Sequence, residues 1–340
     1  MVEYTLPRDF STRGATLKDV PIAVELFNEY HQHYFGYHNF TKNIIETDWQ
    51  TPKFNPETDI HLVFSDQGQL VGYIEVWTDI DPPAHPFLWM QVHPEFDNLG
   101  IGSHLLQWGE DRARQVLDRC PQDIRVAYRI STESTMENQK ILYNKFDLSL
   151  RRHSFRMLIE FGKAPPEPVW PHGIDVRFSD GSDFDIENLC RVDHEAFKDH
   201  FGYIEQPFSD DLAWFSNWVK NDESLADPSL WFLALMGEKP VGMALCSKWS
   251  FEKREYGHVN VLGVLKPYRN KGIGLALLHH TFSEYFKRGK KGVTLGVDAQ
   301  NLTGALNLYK KAGMHVHRQY EMYEKELRPG REISVESINE

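Results

Sequence analysis

A length of 340 residues predicts two domains of ordinary size, each large enough to bury its own hydrophobic core. The net charge is −12, from 37 Lys and Arg against 49 Asp and Glu, and no basic run is long enough for a nucleic-acid-binding stripe. We therefore expect neither nucleic acid nor an anionic membrane as a partner. The first residues lack the apolar core of a signal peptide, and no stretch approaches the roughly 18 apolar residues of a membrane span, so we expect a cytoplasmic protein.

The spacing of cysteine and histidine indicates neither a disulfide framework nor a metal site. Cys120, Cys190 and Cys246 are odd in number and far apart, which predicts small core residues. Sixteen histidines include a His-Gln-His run at 31–33 and a His-His pair at 279–280, but neither has an acidic or cysteine partner at metal-ligand spacing. We expect no metal cofactor.

The two halves of the sequence repeat each other at an offset of about 170 residues. The matching pairs are aromatic segments at 33–37 and 199–203, Val-Gly strands at 70–74 and 240–244, Gly-x-Gly units at 92–102 and 264–274, and Leu-Tyr pairs at 142–143 and 308–309. Prolines at 164–172 exclude a helix or a central strand there and predict a linker. We therefore predict two copies of one domain, at 1–163 and 173–330, followed by a tail at 331–340.

Each copy has the same predicted order of elements: an amphipathic helix, two strands, a strand leading into a Gly-x-Gly helix, another strand, a short helix and a final hairpin. The better defined segments are helices at 17–30 and 185–197 and strands at 61–65, 70–77, 124–130, 231–236, 241–247 and 293–297. Strands with interspersed helices, not all joined by crossovers, predict an α/β protein with an α+β mixed sheet in each domain.

The most informative stretch of the second copy is a strand at 258–264 that leads through a glycine-rich turn into a helix. Gly272 and Gly274 have no side chain, so the first amides of the helix can approach an anion, which the helix dipole also favours. Arg269 and Lys271 add positive charge to the turn. These features predict a phosphate site.

Strand, proline, basic residue and Gly-x-Gly in this order resemble motif A of the GCN5-related N-acetyltransferase (GNAT) superfamily. The resemblance implies two tandem GNAT (acyl-CoA N-acyltransferase) domains that use acetyl-CoA, with its pyrophosphate at the turn and its pantetheine arm along the strand. The residues implied to bind the coenzyme are Leu262, Val264, Arg269, Asn270, Lys271, Gly272, Ile273 and Gly274. A dinucleotide-binding fingerprint fits less well, because Leu277 stands where a third glycine is required.

Residues 301–314 resemble the GNAT pattern N-x-x-A-x-x-x-Y-x-x-x-G-F. The resemblance implies that Tyr309 faces the thioester sulfur and that Asn301 contacts the pantetheine arm. Since the pKa of a phenol is near 10 and that of a thiol is near 8.5, we expect a hydrogen bond to the leaving thiolate rather than full proton transfer. The structural alternatives are a core tyrosine at 309 and a helix N-cap at 301.

For the general base, simple alternation puts His258, Asn260, Leu262 and Val264 on one strand face, and His258 is the one of them that can accept a proton near neutrality. The tandem arrangement also loosely resembles the mycothiol synthases, which have a glutamate at this position. The alternatives are a purely structural polar residue at 258, and Glu255 or a water chain as the base.

The first copy lacks much of this chemistry. Asp97 and Leu99 stand in the places of Arg269 and Lys271, and Pro86 stands in the place of His258, although Tyr143 corresponds to Tyr309. A carboxylate at the turn repels a pyrophosphate, by about 3 kcal/mol per charge at an effective dielectric near 20. We expect the N-terminal copy to be degenerate and the C-terminal copy to be catalytic.

These observations predict an N-acetyltransferase that transfers the acetyl group of acetyl-CoA to a primary amine of a small molecule by direct attack, because no cysteine or serine is placed as a nucleophile beside a base. A non-catalytic acyl-CoA-binding or regulatory protein is the alternative from another class. A peptide or protein N-acetyltransferase is also open.

Overall fold

The computed structural model of the chain describes residues 6–300 and 304–336. Its backbone contacts divide the chain into two compact units, the first formed by Met1–Arg152 with Glu321–Ile333 and the second by His153–Tyr320 with Ser334–Glu340. Each unit is therefore built mainly from one of the two sequence repeats, with a segment contributed by the other.

The first unit consists of a sheet with helices packed on it. Its helices are α1 (Val20–Phe35), α2 (Lys42–Trp49), α3 (Pro56–Asp59), α4 (Ile101–Arg114) and α5 (Glu137–Lys145), and its strands are β1 (Ser11–Arg13), β2 (Ile60–Phe64), β3 (Leu70–Trp77), β4 (Phe87–Val92) and β5 (Val126–Glu133). The strand order β1-β2-β3-β4-β5 is antiparallel except for the β4–β5 pair. This pair is parallel because α4 crosses over between its strands.

The second unit repeats this order. Its helices are α6 (Asp183–Ala196), α7 (Phe208–Asn221), α8 (Ile273–Lys287) and α9 (Ala305–Lys311), and its strands are β7 (Ile174–Phe178), β8 (Trp231–Met236), β9 (Lys239–Ser247), β10 (Tyr256–Val264) and β11 (Gly292–Asp298). The β10–β11 pair is parallel, and the pairs β7–β8, β8–β9 and β9–β10 are antiparallel. Both units are thus mixed sheets with helices packed on them, which confirms the predicted fold class.

The last strand of each repeat joins the sheet that is built mainly from the other repeat. Strand β6 (Ser149–Glu160) follows the first repeat, but its residues from Ser154 onward pair antiparallel with β11. Strand β12 (His315–Arg328) follows the second repeat, yet it lies beside β5, and its residues from Glu321 belong to the first unit. The division of the chain therefore differs from the predicted boundaries at 153–163 and at 321–333.

Most predicted elements are observed within a few residues of their predicted ends. Strands β3 and β8 coincide with the predicted segments, and helix α6 starts two residues before its predicted start, where the side chain of Ser182 caps it by accepting from the amide of Asp185. Residues 163–171 form neither helix nor strand, as the prolines predict. The predicted final hairpin is wrong in both repeats, because a single long strand, β6 or β12, follows the last helix.

The three cysteines are buried and unpaired, as expected for small core residues. Within residues 6–300 and 304–336, no helix is both long enough and apolar enough to cross a membrane. No cluster of three or more His, Cys, Asp or Glu side chains placed to hold a metal ion occurs in the described part of the chain.

A buried ion triad anchors β12 in the first unit. The carboxylate of Glu324 accepts from Arg125 Nη2 at 2.7 Å and from Arg129 Nε at 2.8 Å, and only 5% of its side chain is exposed. The two arginines lower the pKa of Glu324 against the opposing effect of its burial. Removal of one partner of such a group leaves an uncompensated buried charge.

We predict that Glu324→Gln lowers the free energy of unfolding of the first unit by about 3 kcal/mol, because the buried guanidinium of Arg129 loses the carboxylate that faces it. Urea denaturation measures the change. The matched control is Glu326→Gln on the same strand, whose 45%-exposed side chain also contacts Arg125 and whose loss should cost at most about 1 kcal/mol. Equal effects of the two variants would contradict a buried role for Glu324.

Candidate active site

The turn before α8 has the backbone of an anion site. Asn270 and Gly272 have positive φ angles of 62° and 89°, and Gly272 is the left-handed N-cap of α8. This conformation directs the free amides at the start of the helix toward one point, where the positive end of the helix dipole also lies. The 15-residue helix α8 makes that dipole effective.

A cavity of about 420 Å³, here called the turn cavity, lies beside this turn. Its lining residues come from the end of α6, the end of β10, the turn with the start of α8, and α9: Ala196, Phe197, His200, Leu262, Gly263, Val264, Tyr268, Arg269, Asn270, Gly272, Ile273, Gly274, Leu275, Gly304, Ala305, Asn307, Leu308, Tyr309 and Lys311. The structure thus brings all the predicted coenzyme-binding residues of the strand and turn together, except Lys271.

Arg269 is bound to the protein itself. Its guanidinium makes two hydrogen bonds to the carboxylate of Asp199, at 2.5 and 3.1 Å, and others to the carbonyl oxygens of Ala196 at 2.6 Å and Val264 at 3.1 Å. The arginine lowers the pKa of Asp199 against the effect of burial. Arg269 therefore joins the end of α6 to the end of β10, and the backbone amides remain as the main anion donors of the turn.

Among the described residues, Lys311 is the lysine that lines the turn cavity, and it was not predicted from the sequence. Lys271 points away, with its ammonium donating to the carbonyl of Pro267 at 2.9 Å and lying 5.4 Å from the ring centre of Tyr268. Lys311 lines the turn cavity from α9. The sequence feature that could have indicated this position is the location of Lys311 two residues after Tyr309.

Strands β10 and β11 part beyond Val259, and a second cavity opens between them. Their parallel pairing runs from Tyr256–Gly292 to Val259–Leu295 and then ends. The second cavity, here called the cleft cavity, has a volume of about 270 Å³ and is lined by Phe197, His200, Phe201, residues 259–262 and 295–298, Ala305 and Tyr309. It shares Phe197, His200, Leu262, Ala305 and Tyr309 with the turn cavity.

Tyr309 therefore lies where the two cavities meet. Its residue exposure is only 7%, and burial raises the pKa of Tyr309 to about 12. Within residues 6–300 and 304–336 no hydrogen-bond partner occupies its hydroxyl, so the O–H is available to a ligand. A group with this pKa is protonated at neutral pH and acts as a hydrogen-bond donor.

The alternation predicted for β10 is wrong because the strand contains a bulge. Val259 pairs with Cys246 and Val261 with Leu245, so Asn260 is an extra residue. An extra residue reverses the two faces beyond it. His258 therefore lies on the opposite face of the sheet from Leu262 and Val264.

Contacts at two glycines support this assignment of faces. A Cβ added at Gly257 would meet the ring of Tyr285 on α8, whereas a Cβ added at Gly263 would meet Ala196 and Phe197 at the end of α6. Because neighbouring residues of a strand face opposite sides of the sheet, His258, next to Gly257, faces away from α8. By the same alternation Val264, next to Gly263, faces toward α8.

His258 is absent from the lining of both cavities. Its Nδ1 is 2.8 Å from Thr294 Oγ1, and its Nε2 is 3.5 Å from Arg156 Nη1. Burial and the charge of Arg156 hold the pKa of His258 well below its usual range. The structure does not bring His258 and Tyr309 together. The predicted residue Asn301 lies outside the described residues.

The first unit has the same turn backbone with different side chains. Asn98 and Gly100 have φ angles of 64° and 86°, close to those of Asn270 and Gly272. The carboxylate of Asp97, however, accepts from the amide of Asn98 at 3.1 Å. Among the described residues that line the adjacent cavity of about 350 Å³ there are two carboxylates, Asp97 and Glu137, and no lysine or arginine.

The tyrosine of the first unit also differs from its counterpart. Tyr143 is 1% exposed and packs edge-on against Tyr323 at 5.3 Å between ring centres. It does not line the 350 Å³ cavity. The group that corresponds to Tyr309 is therefore out of reach of a ligand in that cavity.

The second unit combines a parallel strand pair that separates with a helix N-terminus next to the separation. Mixed α/β proteins with this arrangement can bind an extended ligand that ends in a phosphate. The chain belongs to the acetyltransferase (GNAT) family, whose sequence profile matches residues 23–133 and 189–314. The protein is an N-acetyltransferase with two tandem domains of this family, and acetyl-CoA is the co-substrate that the family implies. The predicted resemblance to the superfamily is thereby confirmed.

Relatives with known sequences or structures agree with this assignment. A mycothiol acetyltransferase of Amycolatopsis mediterranei is 27% identical over 273 residues, which cover 76% of this chain and 81% of that protein. A GCN5-related N-acetyltransferase of Sphaerobacter thermophilus has a TM-score of 0.75 and 29% identity, covering 96% of this chain and 99% of that one. A tandem GNAT protein from the clavulanic acid biosynthesis pathway shares the fold at 13% identity, with a TM-score of 0.67, over 95% of this chain and all of that one.

We predict that Gly272→Ala weakens acetyl-CoA binding at least about tenfold, or about 1.4 kcal/mol, because a left-handed alanine strains the turn and displaces its amides. Calorimetric titration measures the dissociation constant. The matched control is Gly289→Ala, another left-handed glycine of the second unit, with φ 75° and open space around it. Equal affinity of the Gly272 variant and the wild type would contradict an anion site at this turn.

Proposed function

We propose that the second unit transfers the acetyl group of acetyl-CoA to a primary amine of a small molecule by direct attack. The observation that carries the proposal is the position of Tyr309, which lines both the turn cavity and the cleft cavity. A donor and an acceptor that enter from these two cavities would meet beside one protonated hydroxyl.

The residues of the second unit fit acetyl-CoA. The amides at the Gly272 N-cap suit a pyrophosphate, the backbone of residues 262–264 lies along the turn cavity, and Lys311 adds a positive charge there. When bound, the coenzyme supplies an acetyl group activated as a thioester. The space between the separated strands β10 and β11, next to the cleft cavity, can hold this acetyl group.

Within this site, Tyr309 donates a hydrogen bond to the leaving sulfur as negative charge develops on it. The hydroxyl is preorganised because 93% of the residue is buried in the protein, and it keeps its proton because of its raised pKa. Direct attack is favoured over a covalent intermediate since burial raises the pKa of Cys190 and of Cys246 to about 12 in each case. Neither thiol can supply a thiolate nucleophile at neutral pH.

A small-molecule amine is supported by the size and lining of the cleft cavity. Its volume of about 270 Å³ is at or below the lower end of ordinary ligand pockets. Asp298 and Asn260 are the polar residues that β11 and β10 contribute to its lining. The amide of Asn260 is fixed by Ser247, whose hydroxyl is 2.6 Å from Asn260 Oδ1. The relatives named mycothiol acetyltransferases also support a small-molecule acceptor.

We predict that Tyr309→Phe lowers kcat by about 100-fold, since one preorganised donor to the developing charge is lost. The dissociation constant of acetyl-CoA should change little, because the phenyl ring still fills the same space. Thiol release from acetyl-CoA with a panel of amines, peptides included, measures kcat and identifies the acceptor class.

The matched control for this experiment is Tyr143→Phe in the first unit, which should leave kcat unchanged. Turnover that depends on Tyr143 instead of Tyr309 would place the chemistry in the first unit. Acetyl-CoA binding without thiol release from any amine would indicate a non-catalytic binding protein.

A further inference from the structure

Among the described residues that line the two cavities of the second unit is a histidine, His200, that was not predicted from the sequence. His200 lines both the turn cavity and the cleft cavity, as Tyr309 does. Its imidazole is half-buried and lies against the ring of Phe197, with 4.4 Å between ring centres. No hydrogen bond to this imidazole is made by any residue in 6–300 or 304–336. Its nitrogens are therefore available to a ligand.

The two candidates for the general base, His258 and His200, differ in whether their ring nitrogens are available to a ligand. The nitrogens of His258 lie close to Thr294 and Arg156, so a lone pair that could take a proton is already directed at protein groups. Among the described residues, none makes a hydrogen bond to the imidazole of His200, which lines both cavities. Access to the reacting groups comes before pKa in choosing a general base.

The backbone around His200 is fixed on both sides. On one side, the carboxylate of Asp199 is held by the guanidinium of Arg269 in a two-pronged ion pair. On the other side, the amide of Gly202 donates to the carbonyl of Val335 at 2.8 Å, and the amide of Val335 donates to Tyr203 at 2.9 Å. A catalytic side chain needs this kind of support to be held in a productive geometry.

The charged groups around His200 leave it neutral at pH 7. Burial is the main cause that lowers the pKa of His200 below its usual range. Arg269 lowers it further, while the carboxylates of Asp199 and Asp298 oppose the shift. From α9, Tyr309 and Lys311 also face the turn cavity. A neutral imidazole can accept a proton.

We propose that His200 is the general base that removes a proton from the acceptor ammonium in the second unit. The proposal rests on the proposed acetyl transfer and adds to it the residue that prepares the nucleophile. The first repeat supports it, because Tyr34 occupies the corresponding position and lines the 350 Å³ cavity. A tyrosine whose pKa is raised by burial cannot act as a base at neutral pH.

The proton balance of the reaction is complete with this assignment. The ammonium nitrogen has three protons, and the first passes to His200, directly or through one water. The free amine then forms a bond to the carbonyl carbon, the carbon–sulfur bond breaks, and its electron pair goes to sulfur beside the hydroxyl of Tyr309. The second proton ends on the thiol, the third remains in the amide, and the imidazolium releases its proton to solvent.

The test is the pH dependence of kcat/KM for thiol release with an amine that the wild-type chain acetylates. For the wild type we expect kcat/KM to fall as the pH drops through a value below 6.5, the usual histidine pKa, because protonated His200 cannot accept a proton. His200→Gln should lower kcat/KM at pH 7 about 100-fold and abolish this acidic limb. His200→Tyr, which copies the first repeat, should do the same.

The matched control is His279→Gln. His279 is also half-buried, with a pKa lowered by burial, but it lies on α8 and lines neither cavity. This variant should keep both the rate and the acidic limb. The acetyl-CoA dissociation constant and the thermal unfolding midpoint, measured for every variant, separate a lost base from a lost fold. If His200→Gln is unfolded or does not bind acetyl-CoA, His200→Tyr takes its place as the test. A rate loss in a folded, coenzyme-binding His200→Tyr variant supports the proposal, and an unchanged rate contradicts it.

Three results would overturn the proposal. An acidic limb retained in folded His200→Gln would show that another group is the base, while acetyl transfer itself would stand. Loss of the limb in His258→Gln and not in the His200 variants would assign the base to His258. Absence of wild-type thiol release with every amine would contradict the acetyl transfer, and with it the role of His200.

Discussion

The site in the second unit depends on one constraint, the point at which β10 leaves β11. Two hydrogen-bonded strands close the space between them, and here four paired positions, ending at Val259 and Leu295, are followed by a cavity. The bulge at Asn260 stands at this point, where it interrupts the regular ladder and reverses the faces of the strand. Because Tyr309 and His200 both line the opening, the parting of two strands sets the geometry of all the chemistry proposed for this chain.

The two units show that a backbone can be kept while its chemistry changes. The turns at Gly100 and Gly272 have nearly the same conformation, so both place helix amides around an anion site. In the first unit the carboxylate of Asp97 accepts a hydrogen bond from one amide of the turn, and Tyr143 is buried in the core. The sequence comparison of the two repeats already predicted a degenerate first copy from Asp97. The burial of the tyrosine adds a second and independent reason, which only the packing reveals.

The sequence predicts the secondary-structure elements better than it predicts which strands pair and which side chains come into contact. Periodicity and turn residues place β3, β8 and the helix after Gly272 correctly, because each depends on local chemistry. The exchange of β6 and β12 could not be predicted, since the two final strands have similar sequence patterns, which do not specify a partner strand. The face of His258 was mispredicted because a one-residue bulge has no reliable sequence signal. Arg269 was expected to face a phosphate, and its pairing with Asp199 depends on a contact 70 residues away.

Binding of the coenzyme by the second unit, on which the proposed transfer depends, is tested most directly by amide hydrogen exchange of the whole chain with and without acetyl-CoA. We predict slower exchange on coenzyme addition at residues 262–264 and 272–276, which carry the amides along the turn cavity, and little change at residues 100–104 of the first unit. Slowing confined to residues 100–104 would contradict it, because the coenzyme would then occupy the unit in which the tyrosine is buried.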